Sequence, residues 1–246
     1  MQIDHLIPGF FIKRYKRFFI EVQLTDGTLV IAHSNNTGSM RSVLYDNAPV
    51  WLEFHDNPKR KLPYTLHLIQ LSTGGYVCVN TLFPNRLVEE AIGQDKIPEL
   101  CPAEMLRHEI PYGQENSRID LYLRHLGTPT FVEVKNVTLM EPDLPQVAQF
   151  PDAITERGQK HLRELIHTKK SGNRAVMFYL ISRTDCHSFQ SAAHIDPHYA
   201  TLLDQAVEAG VEVYAYQLSI SFQPHSVRLM VTHRVPYLAK GLVCAI

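Results

Sequence analysis

No surplus of charge marks this chain. Its 246 residues carry 24 Lys+Arg against 25 Asp+Glu, a net charge of −1, so the total points to no polyanionic partner and any such binding must come from local patches. Cysteine is scarce. Cys78, Cys101, Cys186 and Cys244 stand far apart with no C-x-x-C pair, which suits buried free thiols of a reducing compartment. No apolar run approaches the roughly 20 residues that a membrane helix needs. The first residues, Met1 to Gly9, hold Asp4, His5 and Pro8 and do not read as a signal peptide. No segment is compositionally biased. The expectation is a soluble, cytoplasmic protein with no membrane partner. It is 45% hydrophobic and long enough for one large domain or two small ones, each burying a core.

Residues 1–83 read as all-β. Phe18 to Leu24 alternates, Thr25-Asp26-Gly27-Thr28 is a hairpin turn because Asp-Gly supplies positive φ, and Leu29 to His33 returns. Further strands are expected at Val50 to His55, Leu62 to Leu71 and Tyr76 to Asn80. Five short strands with turn punctuation fit a small OB-type barrel, with another small β fold as the alternative. Two basic segments lie here: Lys13-Arg14-Tyr15-Lys16-Arg17-Phe18-Phe19 and Lys59-Arg60-Lys61. Lys and Arg neutralise phosphates while aromatic rings stack on unpaired bases. The plainer alternative is a solvated strand end with Phe18 in the core.

Residues 84–106 read as interrupted helix. Pro84-Asn85 starts an apolar stripe of Leu87, Val88, Ala91 and Ile92 that stops at Gly93. A domain boundary is placed here, giving units 1–83 and 84–246. In the second unit a strand at His108 to Tyr112 leads to a loop at Gly113 to Asn116. After a hairpin and a loop at Glu141 to Pro145, a helix is expected over Ala153 to Lys170. Ile154, Leu162, Leu165 and Ile166 share its face with Gly158, and Gly172 is its stop. Ala175 to Ser182 is nearly continuously apolar, as in a strand buried on both faces. Asp196-Pro197 caps a helix that runs to Gly210, and Val211 to Tyr216 is the next strand. Strand–helix–strand order implies a parallel crossover and an α/β domain. The tail after Ser219 reads as one more strand or an irregular end.

The hairpin carries the chemistry. Ile119, Leu121 and Leu123 point one way, and Arg118, Asp120, Tyr122 and Arg124 the other. Val132 and Val134 likewise oppose Phe131, Glu133 and Lys135. A loop of His125 to Thr128 pairs Arg124 with Pro129, which sets Asp120 opposite Glu133 and Arg118 opposite Lys135. Two carboxylates facing each other repel. Either they form a solvent-facing salt-bridge ladder with Arg118 and Lys135, or they hold a cation. On the helix that follows, Arg157, Gln159, Lys160, His161 and Arg163 form an ordinary polar face or a nucleic-acid surface. His194 and His198 flank Pro197 at a helix start, which favours surface capping over a metal site.

Asp120 followed by Glu133-x-Lys135, then a helix, then a buried strand, resembles the core of the PD-(D/E)XK nuclease superfamily. That resemblance implies a divalent metal on Asp120 and Glu133, with Lys135 positioning or activating the attacking water and Glu109 as a third carboxylate. Mg²⁺ prefers such oxygen ligands and keeps several waters.

The whole chain resembles the sugar fermentation stimulation protein family. The matching segments include Arg14-Tyr15-Lys16-Arg17-Phe18, Asn36-Thr37-Gly38-Ser39-Met40, Val79-Asn80-Thr81, Tyr112-Gly113, Ser117-Arg118-Ile119-Asp120, Val132 to Leu139, Phe150-Pro151-Asp152-Ala153, Thr155 to Leu162, and His194-Ile195-Asp196. The resemblance implies a mixed α/β protein: an N-terminal OB-like β-barrel and a C-terminal PD-(D/E)XK nuclease-like α/β domain. It implies non-specific binding of DNA, single- or double-stranded, and a regulatory link to maltose utilisation in bacteria. Mg²⁺ or Mn²⁺ is the expected metal, with Asp120, Glu133 and Lys135 catalytic. The expected nucleic-acid contacts are Lys13, Arg14, Tyr15, Lys16, Arg17, Lys59, Arg60, Lys61, Arg118, Arg157, Gln159, Lys160 and His161. Two functions stay open: a metal-dependent phosphodiesterase, or an inactive DNA-binding regulator on the same fold. A carbohydrate-responsive protein is a third, without a sugar-site signature. A homo-oligomer is left open.

Overall fold

Strand β1 (Gln2–Asp4) opens the chain, and six strands then build a barrel: β2 (Ile7–Tyr15), β3 (Phe19–Leu24), β4 (Leu29–His33), β5 (Pro49–Phe54), β6 (Tyr64–Gln70) and β7 (Tyr76–Cys78). The computed structural model describes residues 1–239. The barrel strands run in the order β4-β3-β2-β5-β6-β7, and a short parallel pairing of Ala32 with Tyr64 closes β4 onto β6. The result is an OB-like barrel. Ile20, Val22, Ala32, Val50, Leu52 and Leu66 fill it, as the alternation of their strands requires.

The first two strands of the chain escape the sequence reading. Ile7–Tyr15 contains Pro8 and Gly9, which look like loop punctuation, yet Gly9 and Phe11 point inward and the strand pairs with both β3 and β5. Gln2–Asp4 does not belong to the barrel at all. It pairs antiparallel with a strand near the far end of the chain, so the first residues cross the boundary drawn at residues 83 and 84. Phe18 is 44% exposed and stacks on His33, so it is not a core residue.

Helix α1 (Pro84–Gly93) and a 3-10 turn at Pro98–Leu100 lead into β8 (Ala103–Tyr112), β9 (Ser117–His125) and β10 (Thr128–Val137). Then follow β11 (Val147–Phe150), α2 (Glu156–Lys170), β12 (Arg174–Ile181), β13 (Ser188–Ser191), α3 (Pro197–Glu208), β14 (Glu212–Gln223) and β15 (Ser226–Arg234). The seven-stranded sheet has the order β1-β15-β14-β12-β10-β9-β8. Its centre is parallel: α2 carries the chain from β10 to β12, and α3 from β12 to β14. The flanks are antiparallel. One face packs under α1 with barrel residues Leu68 and Cys78, the other under α2 and α3. Strand β12 is therefore buried on both sides, as its apolar run requires.

Helix α2 begins at Glu156, not Ala153. Thr155 is its cap and accepts from Gly158 N, which leaves Ile154 before the first turn and 74% exposed. Strands β11 and β13 form a separate parallel pair that the sequence reading lacks, since four residues each are too few for a periodic pattern. Asp196 caps α3 as expected, accepting from Tyr199 N. The tail after Ser219 is mostly strand, and residues 240–246, with Cys244, lie outside the described residues. Burial pushes the Cys78 and Cys186 thiols up to about 12, which keeps both unreactive. No described helix is long and apolar enough to cross a membrane.

Arg183 stitches the two units. It is 1% exposed, and its guanidinium donates to Thr138 O and to both carboxylate oxygens of Asp185, which also accepts from Thr73 Oγ1 of the barrel. Its backbone bridges to Val77, the middle residue of β7. Arg183→Met removes the only cation paired with Asp185 among the described residues and leaves the Thr138 carbonyl with Ser42 Oγ alone. It is expected to lower the unfolding free energy by about 3 kcal/mol in urea titrations.

Candidate metal centre and nucleic-acid surface

The β9–β10 hairpin turns at Leu126-Gly127, both at positive φ, and pairs His125 with Thr128 and Arg124 with Pro129. That is the register expected from the pattern. The ladder ends at Val132 opposite Leu121. Beyond it the strands part, and the Asp120 side chain enters the gap. Its Oδ2 accepts from Val134 N at 2.8 Å and its Oδ1 from Asn85 Nδ2 of α1 at 2.9 Å. Arg118 consequently does not face Lys135. It pairs with Pro111 of β8 and donates to the Glu109 carbonyl at 2.8 Å.

Glu133 is 1% exposed, lying under α2, so the solvent-facing ladder does not exist. Alternation along β10 identifies its face but not the helix that covers it. Glu133 Oε1 accepts from Lys135 Nζ at 2.6 Å, and His161 Nδ1 sits against both that oxygen and, at 3.1 Å, the ammonium. Glu133 Oε2 is buried with no partner among the described residues. Burial alone would raise the Glu133 carboxyl, but the Lys135 ammonium and His161 outweigh it and hold it below the ordinary range. Asp120 goes the other way. Burial first, and then the Glu133 charge, push it up to about 6 against the pull of Lys135 and its hydrogen bonds. Tyr112 is buried beside these carboxylates, and burial with their charge keeps its hydroxyl protonated.

Glu109 does not join the pair. It stands exposed at positive φ on β8, at the rim of a cavity of about 460 Å³. Asn116, Arg118, Arg157, Lys160 and His161 line that cavity too. Among the described residues no three His, Cys, Asp or Glu side chains converge as a ready metal cage. Two carboxylates with a free buried oxygen still fit a hard cation that retains most of its waters, as Mg²⁺ does.

The expected nucleic-acid residues divide. Arg118, Arg157 and Lys160 line the cavity, with Lys160 donating to Asn116 O. His161 also borders the cavity, but its ring is almost wholly buried and lies against Glu133. Gln159 turns away and donates to the Asp196 carboxylate at the α3 cap. Arg163 pairs with Glu115 at the surface. On the barrel, Arg14 donates to the carbonyls of Asn36, Gly38 and Ser39. Arg60 donates to Thr65 Oγ1, and Lys13 pairs with Glu21. Tyr15 stacks on Phe19, and Lys16, Arg17, Lys59 and Lys61 stay exposed.

Asn85 and Glu164 were not anticipated. Glu164 is 1% exposed and accepts from Gln114 N and Glu115 N, fixing the loop that carries Asn116 to the cavity. A legible signal existed: Gly158, His161, Leu162, Glu164, Leu165 and Thr168 form one buried stripe of α2, with ionisable members among the apolar ones. Gly113 has φ +70°, and a Cβ there would fall 1.8 Å from Glu164 Oε2. Gly113→Ala should therefore expel Glu164 and loosen the loop, at about 2–4 kcal/mol in urea unfolding.

An OB-like barrel fused to an α/β domain, with a buried Glu-x-Lys on the strand where the parallel centre of the sheet meets its antiparallel flank and an Asp on the neighbouring strand, defines the class. The comparisons give the family. The model "Sugar fermentation stimulation protein RE domain" matches residues 82–224, and "SfsA N-terminal OB domain" matches residues 12–79. A sugar fermentation stimulation protein homolog of Shewanella sp. (strain MR-4) is 48% identical over 217 residues, covering 88% of this chain and 92% of its own. A homolog from Geobacter metallireducens is 46% identical over 233 residues, covering 95% and 97%. The chain belongs to the sugar fermentation stimulation protein family. The solved structure of Pyrococcus furiosus SfsA in complex with Ca²⁺ is similar to it, at 25% identity and TM-score 0.84, covering 97% of this chain and 98% of that one.

Proposed function

We propose that this is a DNA-binding protein whose second domain carries a divalent-metal-dependent phosphodiesterase site of the PD-(D/E)XK type, with Asp120, Glu133 and Lys135 at its centre. The unpartnered, buried Glu133 Oε2 carries this reading. A carboxylate oxygen held ionised and dry, beside a second carboxyl whose ionised form is under electrostatic stress until a cation relieves it, is a donor pair for a hard cation. The relative solved in complex with Ca²⁺ supports a divalent cation, for which Mg²⁺ or Mn²⁺ is the working form.

Asp120 and Glu133 would hold the ion. When bound it supplies Lewis-acid polarisation of a phosphate oxygen and acidifies a coordinated water. Asn85 and Val134 N orient Asp120. Lys135 is held by Glu133 and His161, and its ammonium would offset charge growing on the phosphate. Arg118, Arg157 and Lys160 bind the flanking phosphates without reading bases, so binding is non-specific. Lys16, Arg17, Lys59 and Lys61, exposed on the barrel, would offer further phosphate contacts. Buried free thiols suit a cytoplasmic setting.

Incubation with single- and double-stranded DNA tests the reading. Cleavage is expected with Mn²⁺ or Mg²⁺, with none in EDTA and none for Asp120→Ala. Intact DNA with every divalent metal would end the catalytic claim. One observation favours the alternative, a regulator that holds DNA without cutting it: no third metal-binding side chain converges with Asp120 and Glu133 among the described residues. That alternative predicts retained binding with a steep salt dependence, a slope of about 0.9 per phosphate contact on duplex.

A further inference from the structure

Barrel and α/β domain meet at a clasp. The barrel loop after β4 is drawn into shape by the Arg14 guanidinium, and Ser39 N of that loop donates to Asp152 Oδ2 at 2.9 Å. Gly38 is required there, because a Cβ would fall 2.3 Å from the same oxygen. Behind the clasp lies a cavity of about 480 Å³, in the size range of small-ligand sites. It is distinct from the cationic cavity above. Thr155, the cap of α2, borders this one, and Arg157 of the first turn borders the other.

The lining has the wrong chemistry for phosphate. Its charged members are Arg17 and Asp152, and Asp152 is already engaged by Ser39. The remaining polarity is mainly amide, from residues such as Asn36, Asn136 and Gln149, and Phe150 supplies an aromatic ring. Gln149 is decisive. It is 1% exposed, and neither its Oε1 nor its Nε2 has a hydrogen-bond partner among the described residues. A buried amide with both ends unpaired is an exception in folded proteins. A group that satisfies both ends at once presents a donor beside an acceptor, as the edge of a nucleobase does.

We propose that this cavity seats one unstacked nucleobase of a bound single strand. Gln149 pairs with the base edge, and Phe150 offers a face for stacking. The seat rests on the nucleic-acid reading of the neighbouring site. It divides the work: the cationic cavity takes phosphates and the amide cavity takes a base.

The test is equilibrium binding of fluorescent single-stranded oligonucleotides to the full chain at low salt in EDTA, with ordinary and abasic strands of equal length. The ordinary strand should bind about tenfold more tightly. Gln149→Leu and Gln149→Met should bring its affinity down to the abasic level, leave abasic binding unchanged, and not lower the melting temperature, because each removes an unpaired amide. Equal binding of both strands by the native protein overturns the seat alone. So does a base preference that survives both substitutions in folded protein. Failure of every oligonucleotide to bind overturns the seat together with the nucleic-acid reading.

Discussion

Glu133→Gln should lower the stability of the metal-free protein by about 3 kcal/mol and abolish its response to Mn²⁺. The carboxylate is the counter-charge for Lys135, whose side chain is 13% exposed, and it also faces His161. An amide of the same shape keeps the packing but leaves the ammonium without its anion in a dry site. Losing one partner of a buried ion pair is among the costlier single changes. The substitution also removes the anionic oxygen that is otherwise unpartnered. Urea titrations in EDTA measure the first effect. Melting curves with and without Mn²⁺ measure the second, since an ion that binds only the folded chain raises its melting temperature by mass action. A Glu133→Gln protein as stable as the parent, or still stabilised by Mn²⁺, contradicts the assignment.

Asp120→Asn should do the opposite to stability and the same to metal binding. The Asp120 carboxyl titrates near 6 in the folded protein against an ordinary value of 3.8. Between those values the folded chain holds a proton that the unfolded chain has released. Its contribution to stability is therefore complete below about pH 4 and lost as the pH rises through 6. At pH 8 the ionised carboxylate beside Glu133 costs the metal-free protein about 1–3 kcal/mol. Asparagine removes that charge and keeps an oxygen for Val134 N–H. The variant should melt higher than the parent at pH 8 in EDTA, with the difference vanishing at pH 4. Adding Mn²⁺ should reverse the order at pH 8, because the parent alone gains from the ion. An Asp120→Asn protein that melts below the parent at pH 8 in EDTA would show that the carboxylate is not under electrostatic stress. Opposite effects at two carboxylates on adjacent strands distinguish a functional site from a structural ion pair, in which both losses would destabilise.

What was legible in the sequence was local. Asp-Gly marked the β3–β4 turn, Asp196-Pro197 marked the start of α3, and the alternation around Leu126-Gly127 set the register that pairs Arg124 with Pro129. The family resemblance, carried by other segments such as Asn36 to Met40 and Val132 to Leu139, supplied the OB-like barrel that the strand count left undecided. What was not legible depends on distant contacts. Periodicity says which side of β10 Glu133 occupies, but α2 decides that this side is dry. The parting of β9 from β10 at Asp120 depends on Asn85, which arrives from α1. Strand β1 is three residues whose partner lies more than two hundred positions away, and no local pattern encodes that. Arg14 and Arg60 looked like phosphate ligands because composition cannot reveal that their guanidinium groups serve the barrel's own chain. The structure thus brings Asp120, Glu133 and Lys135 together as the pattern expects, but arranges the residues around them differently.

The most direct measurement is a calorimetric titration of Mn²⁺ into the folded parent and into Asp120→Asn at pH 7.5. The parent should bind about one ion per chain, and the variant, folded and at least as stable in EDTA, should bind none. Equal binding by both proteins, or no binding by the folded parent, would contradict a metal centre at Asp120 and Glu133.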